Sequence, residues 1–256
     1  MTGTAGTPVV FLHALALHSG MWQAHCRYFR ERGHPALALD QRGFGAAPLG
    51  DVPPSLDVVA DDVNRALDER GFGRAVLAGV SMGAYVAMAV LRRHPDRVAG
   101  LALISARASA DTPDTRAQRR KFAHLVQNAE TRDLVVEGAA GQLLGRTTRR
   151  KHPDLAARVL ADARAASPRA LAWAQRAIAD RPDSRPVLRQ AAVPTVVVAG
   201  GEDELISPAE SRETADAVPG GELMVVGHAG HLPPLEAPRK VTAAVRRVLG
   251  RTGPAA

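Results

Sequence analysis

Cysteine, aromatic residues and long apolar runs are all scarce in this 256-residue chain. Cys26 is the single cysteine, which excludes an intramolecular disulfide and argues against a cysteine-based zinc site, so we expect it to pack on a helix. No apolar stretch is long enough to span a bilayer, and the first eight residues contain neither a basic nor an apolar signal region. The expectation is a cytoplasmic protein without a membrane partner.

Cofactor motifs are absent as well. The chain has no H-E-x-x-H, no glycine-rich phosphate loop with a lysine, and no G-x-G-x-x-G after a strand. These absences argue against the metal and nucleotide sites that such motifs form. We therefore expect chemistry that uses no metal and no cofactor.

Basic residues outnumber acidic ones, giving a formal net charge of +7 and a pI near 10.6. The whole excess lies in residues 110–190, which hold 16 Lys and Arg against 9 Asp and Glu, whereas the rest of the chain holds 17 of each. The arginines are scattered at helical spacing rather than clustered beside aromatics, so no nucleic-acid partner is expected. Two interpretations stay open: a solvated helix face, or a basic rim that attracts anionic substrates such as carboxylates.

Six apolar runs alternate with helical patterns along the chain. This alternation predicts an α/β fold, a mostly parallel sheet of about six strands with helices on both faces and the ligand site beyond the carboxyl ends of the strands. The stretch from 110 to 190 is too long for one crossover, and the final residues 251–256 predict a frayed end. Helical patterns within that stretch cover Thr115–Asn128, Leu155–Ala166 and Arg169–Ile178. The predicted strands are Pro8–Leu12, Pro35–Leu39, Ala75–Ala78, Val98–Ile104, Pro194–Ala199 and Leu223–Val226.

The most informative motif is G-V-S-M-G at residues 79–83. It fits G-x-S-x-G, in which two glycines let a strand and a helix pass close to each other at a strained serine. An apolar strand precedes it and a helical pattern follows it, so Ser81 is the candidate nucleophile. Taken alone, the pentapeptide is equally compatible with a tight glycine turn that happens to contain serine.

Two later segments add a candidate acid and a candidate base. The strand at 194–199 is followed by G-G-E-D-E, in which Asp203 lies three residues after Gly200. The next strand leads into G-H-A-G-H-L-P-P, which contains His231. His228 is the competing histidine, and Glu202 and Glu204 are expected to be solvated neighbours of Asp203.

With F-L-H-A at 11–14 and D-Q-R-G-F-G at 40–45, these segments resemble the α/β-hydrolase superfamily, specifically its small capped esterase and lactonase-like members. The likeness extends over nearly the whole chain. It implies a triad in the order Ser81, Asp203, His231. It also implies a helical cap at 110–190 inserted into one catalytic domain, whose core parts are 1–109 and 191–256.

The same resemblance implies an oxyanion hole from the backbone N–H groups of Met82 and Leu15. The family has His-Gly at this loop, whereas Ala14 follows His13 here, and alanine resists the positive φ that glycine allows. His13 and Trp22 are candidates for the pocket wall. For His13 the resemblance favours a brace for the loop, and for Trp22 core packing is an equal alternative.

These residues predict a serine hydrolase that cleaves a small carboxylic ester or lactone, with or without a negative charge, through an acyl-enzyme on Ser81. A 3-oxoadipate enol-lactonase-like catabolic enzyme is the close alternative. A cofactor-free perhydrolase, an acyltransferase or a ligand receptor would retain the same triad. No pattern in the chain specifies an oligomeric state.

Overall fold

The six apolar runs form one parallel sheet. The computed structural model describes residues 6–252, and it arranges the strands in the order β2-β1-β3-β4-β5-β6 with every neighbouring pair parallel. The predicted sheet of about six strands is confirmed, and most of the predicted frayed end, residues 253–256, lies outside the described residues. The strands are β1 (Val9–Leu12), β2 (Ala36–Leu39), β3 (Ala75–Val80), β4 (Val98–Ile104), β5 (Thr195–Gly200) and β6 (Glu222–Val226).

Helices cover both faces of this sheet, which is why the strands are apolar throughout rather than alternating. In β1, Val10 and Leu12 pack with α2 (Leu56–Asp68) and α3 (Met82–Arg93), whereas Val9 and Phe11 pack with α1 (Gln23–Arg30) and α12 (Pro238–Leu249) on the other face. Each such buried side chain contributes about 1.5–3 kcal/mol. The helices outside the stretch between β4 and β5 are α1 (Gln23–Arg30), α2 (Leu56–Asp68), α3 (Met82–Arg93), α10 (Pro208–Asp216), α11 (Pro233–Glu236) and α12 (Pro238–Leu249), with short 3-10 helices at Ser19–Trp22 and Pro95–Arg97.

Six helices occupy the stretch between β4 and β5. The helix predicted over 115–128 ends earlier, because the Asn128 side chain accepts a hydrogen bond from the Glu130 N–H and caps a new helix. Proline at the first position starts α4, after the Thr112 cap, and α8, after the Ser167 cap. The six are α4 (Pro113–Leu125), α5 (Ala129–Gly141), α6 (Arg146–Lys151), α7 (Pro153–Ala165), α8 (Pro168–Ala179) and α9 (Arg185–Arg189).

Within residues 6–252, none of the helices combines the length and the apolar character needed to cross a membrane.

Candidate active site

Ser81 lies on a sharp turn between β3 and α3. Its backbone φ is positive, +54°, with ψ of −116°, a combination that non-glycine residues rarely adopt. A Cβ atom on Gly79 would lie 2.2 Å from the Gly83 carbonyl oxygen, and one on Gly83 would lie 2.2 Å from the Leu12 carbonyl oxygen. Both glycines are therefore required by close backbone approach. The strained conformation of Ser81 costs about 1–2 kcal/mol, which the packing of α3 against the sheet offsets.

A continuous hydrogen-bonded chain joins the three residues that the sequence places on separate loops. His231 Nε2 lies 2.8 Å from Ser81 Oγ, and His231 Nδ1 lies 2.9 and 3.0 Å from the two carboxylate oxygens of Asp203. His231 is 3% exposed and the Asp203 side chain is fully buried. The structure thus brings Ser81, His231 and Asp203 together at the carboxyl ends of β3, β6 and β5.

The surroundings of Asp203 keep its carboxylate ionised and oriented. Burial opposes ionisation, but the hydrogen bond from His231, the charge of that imidazole when protonated and the backbone N–H groups of Leu205 and Ile206 together hold the pKa of Asp203 below its usual value. An ionised Asp203 accepts a hydrogen bond from His231 Nδ1–H. That leaves Nε2 free to accept a proton from Ser81.

The competing histidine and the two neighbouring carboxylates make other contacts. The His228 side chain is 87% exposed and lies 3.8 Å from Glu202. The expectation that Glu202 is solvated is wrong, because its side chain is only 10% exposed and accepts hydrogen bonds from the Thr147 backbone and hydroxyl. Glu204 is exposed and pairs with Arg149.

The loop after β1 supplies one of the two candidate oxyanion donors. Its turn is closed by a hydrogen bond from the Leu17 N–H to the Ala14 carbonyl, and Ala16 takes the positive φ, +68°. The positive φ that was expected at Ala14 therefore occurs two residues later, at Ala16. Leu15 lines the cavity beside Ser81, and Met82 begins α3, where the first N–H groups have no intrahelical acceptor.

His13 braces this loop from behind. Its Nδ1–H donates to the Ala14 carbonyl at 2.8 Å, its Nε2 accepts the Gln41 N–H at 2.9 Å, and the Gln41 side-chain amide donates to the His13 carbonyl. Full burial lowers the pKa of His13 to about 4, so the imidazole is neutral and can hold both bonds.

Neither pocket-wall candidate lines the cavity, and that expectation is corrected. Trp22 is completely buried against Phe11, with ring centroids 4.9 Å apart, on the face of the sheet that packs with α1 and α12. His13 is also completely buried, turned toward Gln41. An aromatic ring near the loop can satisfy either role in a sequence, and only the tertiary packing separates them.

A cavity of about 520 Å³ opens onto Ser81 and His231. Its volume is that of a site for a small molecule. The helices between β4 and β5 supply most of its apolar wall, and a few polar side chains interrupt that wall. The apolar lining includes Phe122, Val136, Ala140, Leu143, Leu171 and Ile178, and the polar lining includes Tyr85, Arg107, Arg119 and Gln175.

Comparison with known proteins gives the family. The model of the alpha/beta hydrolase fold family matches residues 7–238. The chain belongs to this family.

Individual relatives of this α/β-hydrolase are enzymes that act on esters. It is 30% identical over 220 residues to a pimeloyl-[acyl-carrier protein] methyl ester esterase of Neisseria meningitidis serogroup A; the alignment covers 78% of this chain and 63% of that relative, less than two thirds of its length. It is 25% identical over 253 residues to 3-oxoadipate enol-lactonase 2 of Acinetobacter baylyi, covering 97% and 91% of the two chains. A thermophilic esterase from Thermogutta terrifontis, solved with malate bound, superposes with a TM-score of 0.91 at 33% identity, covering 97% and 91%. The relatives named here are esterases and a lactonase.

Residues 110–190 of this α/β-hydrolase, the helical segment, are joined directly to the loop between β6 and α11 that carries His231. The His231 N–H donates to the Leu143 carbonyl at 3.1 Å. The Glu236 carboxylate accepts hydrogen bonds from Gly145 in the helical segment and from Gly230 and Leu232 on either side of His231. One side chain therefore fastens two parts of the α/β-hydrolase across the cavity rim.

Sequence reasoning missed this junction and the polar cavity wall. Glu236 follows His231 by five residues, and the G-H-L-P-P pattern before it indicates a role for His231 only. Arg107, Arg119 and Gln175 carry no motif, so no local signal could have found them. Among residues 6–252, no group of three or more His, Cys, Asp and Glu side chains is arranged to hold a metal ion.

Proposed function

We propose that the protein is a serine hydrolase that cleaves small carboxylic esters or lactones through an acyl-enzyme on Ser81. The observation that carries the proposal is the hydrogen-bonded chain from Ser81 through His231 to Asp203, placed at the wall of a cavity large enough for a small ester.

Each member of the chain has a distinct role. His231 Nε2 accepts the Ser81 hydroxyl proton as Oγ attacks the substrate carbonyl, and Asp203 holds the imidazole in the tautomer that can do so. The imidazolium then gives its proton to the leaving alcohol. Water attacks the acyl-enzyme in the same manner and releases the acid.

Two backbone amides would stabilise the negatively charged tetrahedral oxygen. Met82 begins α3, so the positive end of the helix dipole strengthens the attraction of its N–H for a negative oxygen. Leu15 lies on the loop braced by His13 and lines the same cavity as Ser81. Removing one such donor typically costs about 3 kcal/mol of transition-state stabilisation. Because His13 and Gln41 hold the loop rigid, little reorganisation is needed during the reaction.

Residues 110–190 would act as a cap that selects the substrate. The support is that α4, α5 and α8 contribute most of the apolar cavity wall, whereas the reacting groups come from the sheet. A lactone is the second candidate substrate. It is favoured by the likeness to the Acinetobacter enol-lactonase over nearly the full length of both chains.

The test is steady-state hydrolysis of p-nitrophenyl butyrate by the wild type, Ser81→Ala and Ser105→Ala. Ser105 is a matched control, because it is a buried serine with a positive φ of +49° that directly follows β4, the strand beside β3. We expect Ser81→Ala to abolish turnover and Ser105→Ala to retain it. Unchanged turnover in Ser81→Ala would refute the proposal.

If the wild type is inactive on p-nitrophenyl esters, the same three proteins are assayed on a small enol-lactone. Product that forms only with added peroxide would indicate a perhydrolase, and transfer to an alcohol in preference to water would indicate an acyltransferase. Saturable ligand binding without turnover of either substrate would indicate a receptor.

A further inference from the structure

Two arginines lie in the wall of the cavity that holds Ser81. Arg107 follows β4 and Arg119 lies on α4, and both line this cavity together with Gln175 from α8. Their side chains are 18% and 20% exposed, so the guanidinium groups are largely withdrawn from solvent. A buried charge that is not fully compensated is costly, and such a charge in a cavity wall indicates an anionic ligand.

The neighbouring carboxylates do not balance the arginines. Asp111 is fully buried and lies 2.5 Å from Arg119, 2.7 Å from Arg181 and 3.5 Å from Arg107. Glu210 lies 2.6 Å from Arg107. The cluster thus contains three guanidinium groups and two carboxylates, which leaves one net positive charge.

The two carboxylates and Arg107 remain ionised despite their burial. Burial opposes ionisation of Asp111, but Arg119 and Arg181 hold its pKa below the usual value; burial also opposes ionisation of Glu210, and hydrogen bonds from Ser207 and Arg107 lower its pKa. Burial would lower the pKa of Arg107, yet Tyr85 and the two carboxylates raise it. The excess positive charge is therefore permanent at neutral pH.

Arg119 has the donor that a ligand could use. Its Nε is bonded to Asp111, whereas its Nη1 donates at 3.0 Å to Gln175 Oε1, a neutral amide oxygen. A carboxylate is a stronger acceptor than an amide and matches the planar guanidinium. Among the described residues that line the cavity, Glu204 is the only carboxylate, and it is already paired with Arg149.

We propose that Arg107, Arg119 and Gln175 form a subsite for a free carboxylate carried by the ester or lactone substrate. The inference rests on the proposed hydrolase function and names its substrate class. Tyr85 lies four residues after Ser81 on α3, roughly 6 Å along the helix axis, and it lines the same cavity as Arg107 and Arg119. The subsite and the nucleophile therefore share one cavity, in which a single small substrate can contact both.

The test variant is Gln175→Glu. It places a carboxylate where Arg119 now has an amide acceptor, so the cluster becomes neutral and the arginines keep their partners. The matched control is Gln190→Glu, the same change at an exposed position outside the cavity. Thermal unfolding of both proteins checks that they are folded.

Two substrate pairs separate the locations of the carboxylate. Monoethyl glutarate and ethyl pentanoate differ by a carboxylate on the acyl side, and 4-acetoxybutanoate and butyl acetate differ by one on the alcohol side. For each pair the measured quantity is the ratio of kcat/KM for the charged substrate to that for the neutral one.

We expect the wild type to favour the charged member of one pair, and Gln175→Glu to lower that ratio about 10- to 100-fold, the usual range for a hydrogen bond to a charged group. Gln190→Glu should keep the wild-type ratio. Equal ratios in the two variants, or no preference for a charged substrate in the wild type, would overturn the subsite while leaving the hydrolase proposal intact.

A binding measurement is independent of turnover. Monoethyl glutarate titrated calorimetrically into Ser81→Ala should bind, and the added Gln175→Glu change should weaken that binding at least 10-fold. If Ser81→Ala were as active as the wild type, the hydrolase proposal would fail, and the same titration with the uncleaved analogue glutarate would still decide the subsite. Equal affinities in the two proteins would overturn it.

Discussion

The carboxyl edge of the sheet and the helices between β4 and β5 line the same cavity, but different forces hold their side chains in place. At the sheet edge, the close approach of backbone segments fixes the geometry: Gly79 and Gly83 have no room for a Cβ, and Ser81 is held at a positive φ between them. In the helical segment, side-chain ion pairs such as Arg119–Asp111 set the geometry. Side-chain changes in the helices can therefore alter the substrate preference while the backbone at the sheet edge keeps the reacting groups in place.

The contrast extends to charge. The histidine and aspartate of the sheet edge are buried and form one linear chain of hydrogen bonds. The helical segment mixes exposed arginines, with Arg146 84% and Arg169 70% exposed, with the cavity-lining Arg119. Most of its arginines are thus exposed, as a solvated helix face requires, and the attraction of anionic substrates stays a prediction that rests on the cavity-lining Arg119.

The largest expected effect concerns the two histidines of the loop after β6. His231→Ala should lower kcat/KM for a p-nitrophenyl ester roughly 10⁴-fold or more, because no other base lies within reach of Ser81 Oγ among the described residues. His228→Ala should leave activity unchanged, since that side chain is exposed. Comparable losses in the two variants would contradict the assignment of the base.

The next effect is a loss of stability between pH 6.5 and 4 through two buried histidines of the sheet layers, His13 and His25. Burial lowers the pKa of His25 from 6.5 to about 4, as it does for His13. As the pH falls, these histidines are therefore protonated in the unfolded chain before they are protonated in the folded protein. Their contribution to the free energy of unfolding is fully present above pH 6.5 and is lost as the pH falls toward 4. Each histidine would contribute about 3 kcal/mol to this loss.

Urea unfolding at a series of pH values checks this. His25→Leu should flatten the fall in stability between pH 6.5 and 4, whereas the same change at His124, an exposed histidine on α4, should not. An identical slope for wild type and His25→Leu would show that His25 is protonated at its ordinary pH in the folded protein.

A smaller effect is expected at the junction of the two regions. Glu236→Gln replaces one of the two oxygens that accept N–H groups from Gly145, Gly230 and Leu232 with a donor. Misplacing His231 should lower kcat about 10-fold or more, since displacements near 1 Å can cost up to about 100-fold. Glu213→Gln on the exposed face of α10 serves as the control. Full activity in Glu236→Gln would show that the junction does not position the histidine.

The smallest effect is expected in the oxyanion loop. Ala16→Gly should stabilise the protein by about 1 kcal/mol or less, because glycine adopts the positive φ without steric cost. Ala14→Gly should destabilise it instead, because Ala14 is buried and its φ is not positive. Chemical denaturation distinguishes the two, and stabilisation by Ala14→Gly would return the strain to the position that the sequence indicated.

Most of the sheet was predictable because its signals are local. The apolar runs ended within two residues of the observed strands, and G-x-S-x-G located the turn, since only glycine permits the close approach of β3 and α3. The helical segment was less predictable: the pattern over 115–128 continued past the end of α4, and α5, α6 and α9 carried no distinct pattern. Surface helices depend on partners that are distant in sequence.

The sequence on its own predicted the α/β alternation, the serine turn and the order of serine, acid and histidine, because each apolar run and each motif is encoded in fewer than ten consecutive residues. The tertiary structure alone decided that Trp22 packs in the core, that Glu202 binds Thr147, that Ala16 carries the strained φ, and that Arg119 faces the cavity. These outcomes depend on which distant side chain fills a given space, and contacts between elements far apart in the chain settle that.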